Sequence, residues 1–329
     1  MRDKTLILLG PTASGKTAAA VALAERIGGE IVSADAFQVY RGMDVATAKP
    51  SAEVRRRVPH HLIDILGPDE VYTAARFRSL ALKALNEIRG RGKTPLVVGG
   101  APMYIAALSE GLCAAPSADP ALRFALEEEE RANGPGFLHR RLAEVDPVSA
   151  RRIHPRNLKR IIRAIEVFRL TGKTISSLQR EWRGTGEDIN GNRDINDSGD
   201  EESQAADFEK VGLKREPEDL RRRIEARVDE MFAAGLVEET RRLLSAGASG
   251  SLTAWKALGY QEVEGYLRGG YPREEARQRL VANTRRFARR QMTWWKRDRR
   301  IVWISVESEE KPEETANGII QKLQLTKSK

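Results

Sequence analysis

The sequence predicts an α/β protein, a parallel sheet flanked by helices and interrupted by a helical insertion, and three observations carry that reading. Short apolar runs ending at glycine or a polar turn alternate with longer stretches of helical period through roughly the first 115 residues. The first strand and helix are joined by Gly10 to Thr17, reading GPTASGKT, which satisfies G-x-x-x-x-G-K-[ST] in the required context and makes the core P-loop NTPase-like. Past residue 115 the pattern turns to helices without evident strands.

Thr5 to Leu9 is a short apolar run ending at a glycine, and Ser14 to Ile27 is rich in Ala, Leu and Val, so together they read as strand, loop and helix. Further strands are expected at Glu30 to Ser33 and His61 to Ile65. Thr73 to Gly90 then sets Phe77, Leu80, Ala84 and Ile88 on one helical face, and Pro95 to Val98 is a buried strand stopped by Gly99 and Gly100. Alternation of this kind argues for a parallel sheet covered on both sides.

In the insertion, Arg156 to Thr171 aligns Leu158, Ile161, Ile165 and Phe168, with Gly172 as the stop. Gly184 to Ala206 is rich in Gly, Asn, Asp, Glu and Ser and holds too few large aliphatic residues to offset its ordering entropy, so it reads as a disordered acidic loop. Helices are expected again at Pro217 to Ala234 and Pro272 to Lys296, with a last strand at Ile301 to Ser305. The expected divisions are 1–115 for the first part of the core, 116–183 for the insertion, 184–206 for the loop and 207–329 for the rest of the core.

The composition bounds the function. At 329 residues with 40% hydrophobic content the chain can bury real cores, and Cys113 alone excludes an internal disulfide or a Cys-based zinc cluster, in keeping with a cytoplasmic protein. No run of 18 apolar residues offers a membrane span, and the N-terminal apolar run is too short for a signal peptide. Net charge is +9. From Arg273 to Arg300, ten Arg and one Lys stand against Glu274, Glu275 and Asp298, a net of +8. Glu187, Asp188, Asp194, Asp197, Asp200, Glu201 and Glu202 against Arg193 give the acidic loop −6. Such a surplus suits a polyanionic partner such as nucleic acid, and equally a solvated basic face.

In the phosphate loop, Gly10, Pro11, Thr12, Ala13, Ser14 and Gly15 let backbone N–H groups converge on phosphate oxygens. Lys16 would neutralise the outer phosphate and the Thr17 hydroxyl can ligate Mg²⁺. The strand Pro95 to Val98 ends without the acidic residue that an ATPase often keeps for its metal. Asp35 instead follows the second strand, in SADAFQVY, at the carboxyl edge where ligands bind in open α/β sheets. That position suits a catalytic carboxylate or a turn aspartate.

With these residues placed, the chain resembles the tRNA dimethylallyltransferases, or isopentenyltransferases, over nearly its whole length. The resemblance rests on GPTASGKT, on Asp35 to Tyr40 leading into RGMDVATAKP, on PHHLID at Pro59 to Asp64, on VGGAPMY at Val98 to Tyr104, on SADPALR at Ser117 to Arg123, and on RRIEARVDEM, LGYQE and RRQMTWWK. It implies that the loop holds dimethylallyl diphosphate with Mg²⁺, and that the acceptor is N6 of the adenosine 3′ of a tRNA anticodon. Asp35 is then the general base, because an adenine amine is a weak nucleophile whose proton must be accepted as the new bond forms. Arg223 and Arg227, one turn apart, would help hold the diphosphate, or else are solvated helix arginines beside Glu225.

The resemblance also implies tRNA contacts. Asp35, Ala36, Phe37 and Gln38 would meet the flipped adenine, with Phe37 as readily a core residue. Ala101 and Arg123 fall at further contacts, as do Lys159, Arg160, Ile161, Ile162 and Arg163. Lys256, Gly259, Tyr260 and Gln261 form another contact stretch, and Arg289, Arg290, Gln291, Thr293, Trp294 and Lys296 the last. Trp294 and Trp295 point apart on a helix, so at least one packs inward.

Ala36 stands where the family keeps a serine, and Ala101-Pro102 where it keeps a threonine and a small residue. The lost hydroxyl removes a hydrogen-bond donor worth roughly 1–3 kcal/mol. His60, His61, His139 and His154 lack metal-ligand spacing, and Glu127 to Glu130 reads as a solvated helix face. Three function classes follow: prenyl transfer to tRNA by a monomer, a small-molecule kinase of the adenylate-kinase type, and an RNA-binding protein without chemistry.

Overall fold

The structure is a computed structural model that describes residues 4–112, 115–184, 207–248, 250 and 252–324. The chain divides into two compact units, Met1–Glu110 with Gln204–Lys329, and Gly111–Ser203.

The first unit begins with β1 (Lys4–Leu9), α1 (Lys16–Ile27), β2 (Gly29–Ser33), α2 (Ala52–Arg57), β3 (His60–His61), α3 (Ala74–Gly90), β4 (Thr94–Gly99) and α4 (Pro102–Glu110). The second holds α5 (Pro120–Asn133), α6 (Phe137–Val145), α7 (Pro147–Arg152), α8 (Leu158–Thr171) and α9 (Ile175–Gly184). The first unit resumes with β5 (Asp207–Lys214), α10 (Pro217–Ala233), α11 (Leu236–Ser245), a 3-10 turn at Ala254–Lys256, α12 (Tyr260–Leu267), α13 (Arg273–Trp295), β6 (Val302–Ser305) and α14 (Pro312–Leu323).

Among the described residues the sheet has six strands, all parallel, in the order β3-β2-β4-β1-β5-β6. Its two faces follow from the two-residue period of the strands. Leu6 and Leu8 of β1 meet Ala19, Ala20 and Leu23 of α1 and Ile319 of α14 on one face. Ile7 and Leu9 meet the larger core on the other, with Phe77, Leu85, Ile224, Trp255 and Tyr260. Both faces are covered, as a parallel sheet requires.

The structure corrects two strand expectations. The strand expected at His61 to Ile65 is only His60–His61 long, because Leu62 and Asp64 take positive φ of 64° and 57° and no strand passes through that region. Asp64 is held in its turn by Lys49 Nζ at 2.5 Å and Arg55 Nη1 at 2.6 Å. The second correction concerns β5, which adjoins β1 yet was not expected. Its sequence, DFEKVGLK, hides a buried strand behind charges: Val211 and Leu213 are fully buried, and Lys210 is buried against Glu110 at 3.2 Å and Asp298 at 2.8 Å. The terminal helix α14 was also unforeseen. Of the acidic stretch 184–206, Gly184 ends α9 and the rest lies outside the described residues.

The helical unit packs Leu126, Leu138, Leu142, Ile161, Ile162 and Ile165 into a core of its own. Asp146 braces it, accepting from Ser149 N–H at 3.0 Å to cap α7 and from Ser176 N–H at 3.1 Å to fix α9.

Candidate functional site

The loop between β1 and α1 is built to leave donors free. Gly10 must be glycine, since a Cβ there would lie 2.6 Å from the Leu213 carbonyl of β5. Ala13 (φ 64°) and Gly15 (φ 92°) adopt left-handed conformations, the backbone pattern from which anion-binding nests are built. The first turn of α1 has no side-chain cap, so its N–H groups and its positive end remain available. The Ser14 hydroxyl is buried without a partner among the described residues. Such donors are costly in a free protein and are satisfied by phosphate oxygens.

The cations around the loop have the same character. Lys16 Nζ donates to the Pro11 carbonyl at 2.7 Å, and burial, with the charge of Arg227, lowers its pKa to about 7 against an opposing pull from Asp35. Burial likewise lowers Arg227, again opposed by Asp35. Arg223 donates from Nε to the Ala13 carbonyl at 3.1 Å, so both predicted arginines of α10 reach the loop's surroundings.

A cavity at the carboxyl edge of β2 and β4 is lined by Lys16, Thr17, Ser33, Asp35, Gln38 and His60, with Gly99 closing the β4 side. Gly99 is obligatory, because a Cβ would fall 2.1 Å from the Ala34 carbonyl. Asp35 Oδ1 accepts from the N–H groups of Phe37 at 2.8 Å and Gln38 at 3.2 Å, which sets the turn. Its Oδ2 has no partner among the described residues, so one carboxylate oxygen holds structure while the other is free. Ala36 and Phe37 are half-buried, with Phe37 against the main core. The Gln38 amide is already engaged, accepting from Ser33 Oγ at 3.0 Å and donating to the Thr47 and Ala48 carbonyls at 3.3 and 3.4 Å. Ala101 lies half-buried in the turn after β4, its N–H on the Ala34 carbonyl at 3.4 Å.

Sequence reasoning missed two residues that hold this site, Arg215 and Glu239, and gave a third, Gln291, a different role. Arg215, just past β5, donates to the Ser14 carbonyl at 3.0 Å and pairs with Asp219 at 2.9 Å. A Cβ on Gly15 would lie 3.4 Å from Arg215 Nη2 and 4.0 Å from Arg223 Nη2, so both guanidiniums border the loop. Glu239 is buried and accepts from the N–H groups of Asp44, Val45 and Ala46 and from the Tyr260 hydroxyl at 2.8 Å, fixing the segment whose carbonyls hold Gln38. Gln291, expected to face RNA, is the third. It is 3% exposed, accepts from Thr12 N–H at 2.9 Å and donates to the Gly100 carbonyl at 2.7 Å, tying the loop to the β4 turn.

Other expected RNA contacts are sorted by burial. On α13, Arg289, Arg290, Thr293, Trp294 and Lys296 are exposed, whereas Gln291 and Trp295 face inward. The positive charge sorts too: Arg277 pairs with Asp229, Arg279 with Glu275, Arg285 with Glu225 and Arg300 with Asp298, leaving Arg273, Arg286, Arg289, Arg290, Lys296, Arg297 and Arg299 without a carboxylate partner among the described residues. In the Lys256 to Gln261 stretch, Lys256 and Gln261 are exposed. Gly259 is buried at the start of α12, and the fully buried Tyr260 stacks on Trp255, so the tyrosine side chain is a core element. In the helical unit Lys159 and Arg160 are exposed, Ile161 and Ile162 belong to the core, and Arg123 and Arg163 both pair with Glu166.

An open α1 terminus, a left-handed loop and desolvated cations on a parallel sheet define a P-loop phosphate-binding protein. A model described as IPP transferase matches residues 38–298, and one described as isopentenyl transferase matches residues 4–64. The chain belongs to the IPP transferase family. It is 48% identical over 303 residues to a tRNA dimethylallyltransferase of Geobacter metallireducens, covering 92% of this chain and 93% of that one. A Thermotoga petrophila tRNA dimethylallyltransferase is 44% identical over 93% of this chain and 94% of its own length. Among solved structures, the full-length tRNA isopentenylpyrophosphate transferase of Bacillus halodurans superposes with a TM-score of 0.67 at 36% identity, covering 98% and 97% of the two chains.

Two outcomes are expected of this geometry. Because an anion restores the lysine charge, inorganic diphosphate binding takes up a proton on Lys16 when pH exceeds about 7, and affinity falls as pH rises through that value. Calorimetry in buffers of different ionisation enthalpy measures the uptake, and Lys16→Arg, which stays charged, leaves only the ligand's own ionisation. Gln291→Ala removes both bonds to the loop and turn, so diphosphate affinity drops about tenfold by the same titration.

Proposed function

We propose that the protein transfers a dimethylallyl group from dimethylallyl diphosphate to N6 of the adenosine 3′-adjacent to the anticodon of tRNA, giving N6-(dimethylallyl)adenosine. The observation that carries this reading is the shared cavity of Lys16 and Asp35, a phosphate cation and a carboxylate with one free oxygen, in a chain of the IPP transferase family. Relatives that match over nearly the full length carry the name tRNA dimethylallyltransferase.

In this reading the diphosphate sits on the loop N–H groups, Ser14 and Lys16, with Arg223 and Arg227 at its edge. As the allylic C–O bond breaks, its electron pair leaves with the diphosphate, whose growing charge these groups stabilise. The adenine amine forms the new C–N bond and gives its proton to Asp35 Oδ2. Thr17, at the first turn of α1 and on the cavity wall, fits Mg²⁺, since a single hydroxyl suits an ion that keeps its waters and takes phosphate oxygens for the rest. That ion would supply further neutralisation of the leaving group. The exposed cations of α13, with Lys159 and Arg160 of the helical unit, offer phosphate contacts to the RNA. A small-molecule kinase would leave that surface without a purpose, and the named relatives do not favour it.

Incubation with unmodified tRNA, Mg²⁺ and labelled donor separates the three function classes. Label moving into tRNA from dimethylallyl diphosphate supports transfer; phosphate moving from ATP to a small acceptor overturns it; RNA binding without transfer leaves only a binding protein. Asp35→Asn keeps the acceptor for the Phe37 and Gln38 N–H groups but loses the base, so transfer is expected to fall at least about a hundredfold while tRNA affinity holds. Equal loss of affinity would make Asp35 an RNA-positioning residue. Ala101→Thr restores in the turn after β4 the hydroxyl that the family keeps and is expected to raise single-turnover transfer about tenfold; no change would mean that another donor serves there.

A further inference from the structure

Arg123 and Arg163 are not independent cations. Glu166 of α8 has a fully buried side chain and accepts from Arg123 Nε at 2.7 Å and Nη2 at 2.8 Å, and from Arg163 Nη1 at 2.6 Å. Its remaining bond comes from the Asp119 N–H at 2.8 Å, and Arg163 Nη2 donates to the Pro116 carbonyl at 2.8 Å. Both guanidiniums are thereby fixed by paired bonds, yet their side chains are 34% and 29% exposed, so each keeps donors toward solvent. Arg123 retains Nη1 and Arg163 retains Nε, because no described residue accepts from either. One carboxylate thus orients two forks and leaves the group one net positive charge.

We infer that Glu166 is a positioning residue for RNA, holding Arg123 and Arg163 as a single preorganised two-guanidinium clamp for one backbone phosphate. The inference rests on the tRNA reading above. Its physical content is that orientation outweighs charge: a carboxylate subtracts from the attraction for a polyanion, and it is compensated here by removing the rotamer freedom that two long side chains would otherwise lose on binding.

Glu166→Gln tests this because its two consequences have opposite signs. The variant gains one unit of positive charge, so attraction by net charge alone predicts tighter tRNA binding and a steeper salt dependence. Loss of the clamp predicts the reverse, since the glutamine amide turns a donor toward one guanidinium. We expect the dissociation constant for unmodified tRNA, measured by fluorescence anisotropy across a salt series, to rise about five- to tenfold, with the log–log salt slope flatter by about one. Unchanged or tighter binding overturns the clamp. Melting curves establish that the variant is folded at the assay temperature. Should it not be, Arg163→Lys decides the matter, keeping the charge but losing the fork: a fivefold loss supports the clamp and equal affinity overturns it. A wild-type protein that fails to bind tRNA would overturn the tRNA reading itself.

Discussion

A positive charge withdrawn from water without a counter-ion is the constraint on which the rest of this site depends. Lys16 and Arg227 are both held below their ordinary pKa by burial, and among the described residues neither has a carboxylate within a hydrogen bond. Asp35 attracts both across the cavity without closing on either. The free protein therefore carries an electrostatic debt that an anionic ligand settles. The glycines, the uncapped α1 and the Ser14 hydroxyl all serve the same deficit, each leaving a donor unspent where an anion will stand.

The scaffold around the deficit is rigid because its supports come from far along the chain. Arg215 and Gln291 reach Ser14 and Thr12 across 201 and 279 residues of sequence, and Glu239 fixes the segment behind Gln38. A buried carboxylate accepting several backbone N–H groups costs less than the same group unpaired and leaves the segment little freedom to rearrange. Helix α13 has a double part in this. Gln291 grips the phosphate loop while the outward face of the same helix holds arginines without carboxylate partners among the described residues, so one helix both braces the loop and carries the exposed positive charge.

How much of this the sequence discloses depends on where the information lies. The phosphate loop was legible because strand, turn and helix are contiguous and its motif is local, even though Gly10 also makes room for a carbonyl of β5. Asp35 was legible by its position past a strand. The β5 strand was not, because Lys210 is an apolar-looking site filled by a buried ion pair whose acids lie elsewhere in the chain. Gln291, Tyr260, Ile161 and Ile162 sit within stretches that mix exposed and buried residues, and a contiguous stretch cannot say which of its residues turn inward. In α13 the helical period does separate Trp294 from Trp295, but the partner of an inward glutamine is set by tertiary structure alone.

The strand order has a consequence for how the molecule is made. β1 lies between β4 and β5, so one edge of β1 stays open during synthesis until Asp207–Lys214 has been made, after the helical unit. That unit is built from local contacts and can form while the sheet waits, whereas the apolar edge of β1 remains a place where two nascent chains could pair wrongly. The Gly10 carbon that makes room for the Leu213 carbonyl is thus a reservation held open during translation for a strand that arrives some 200 residues later.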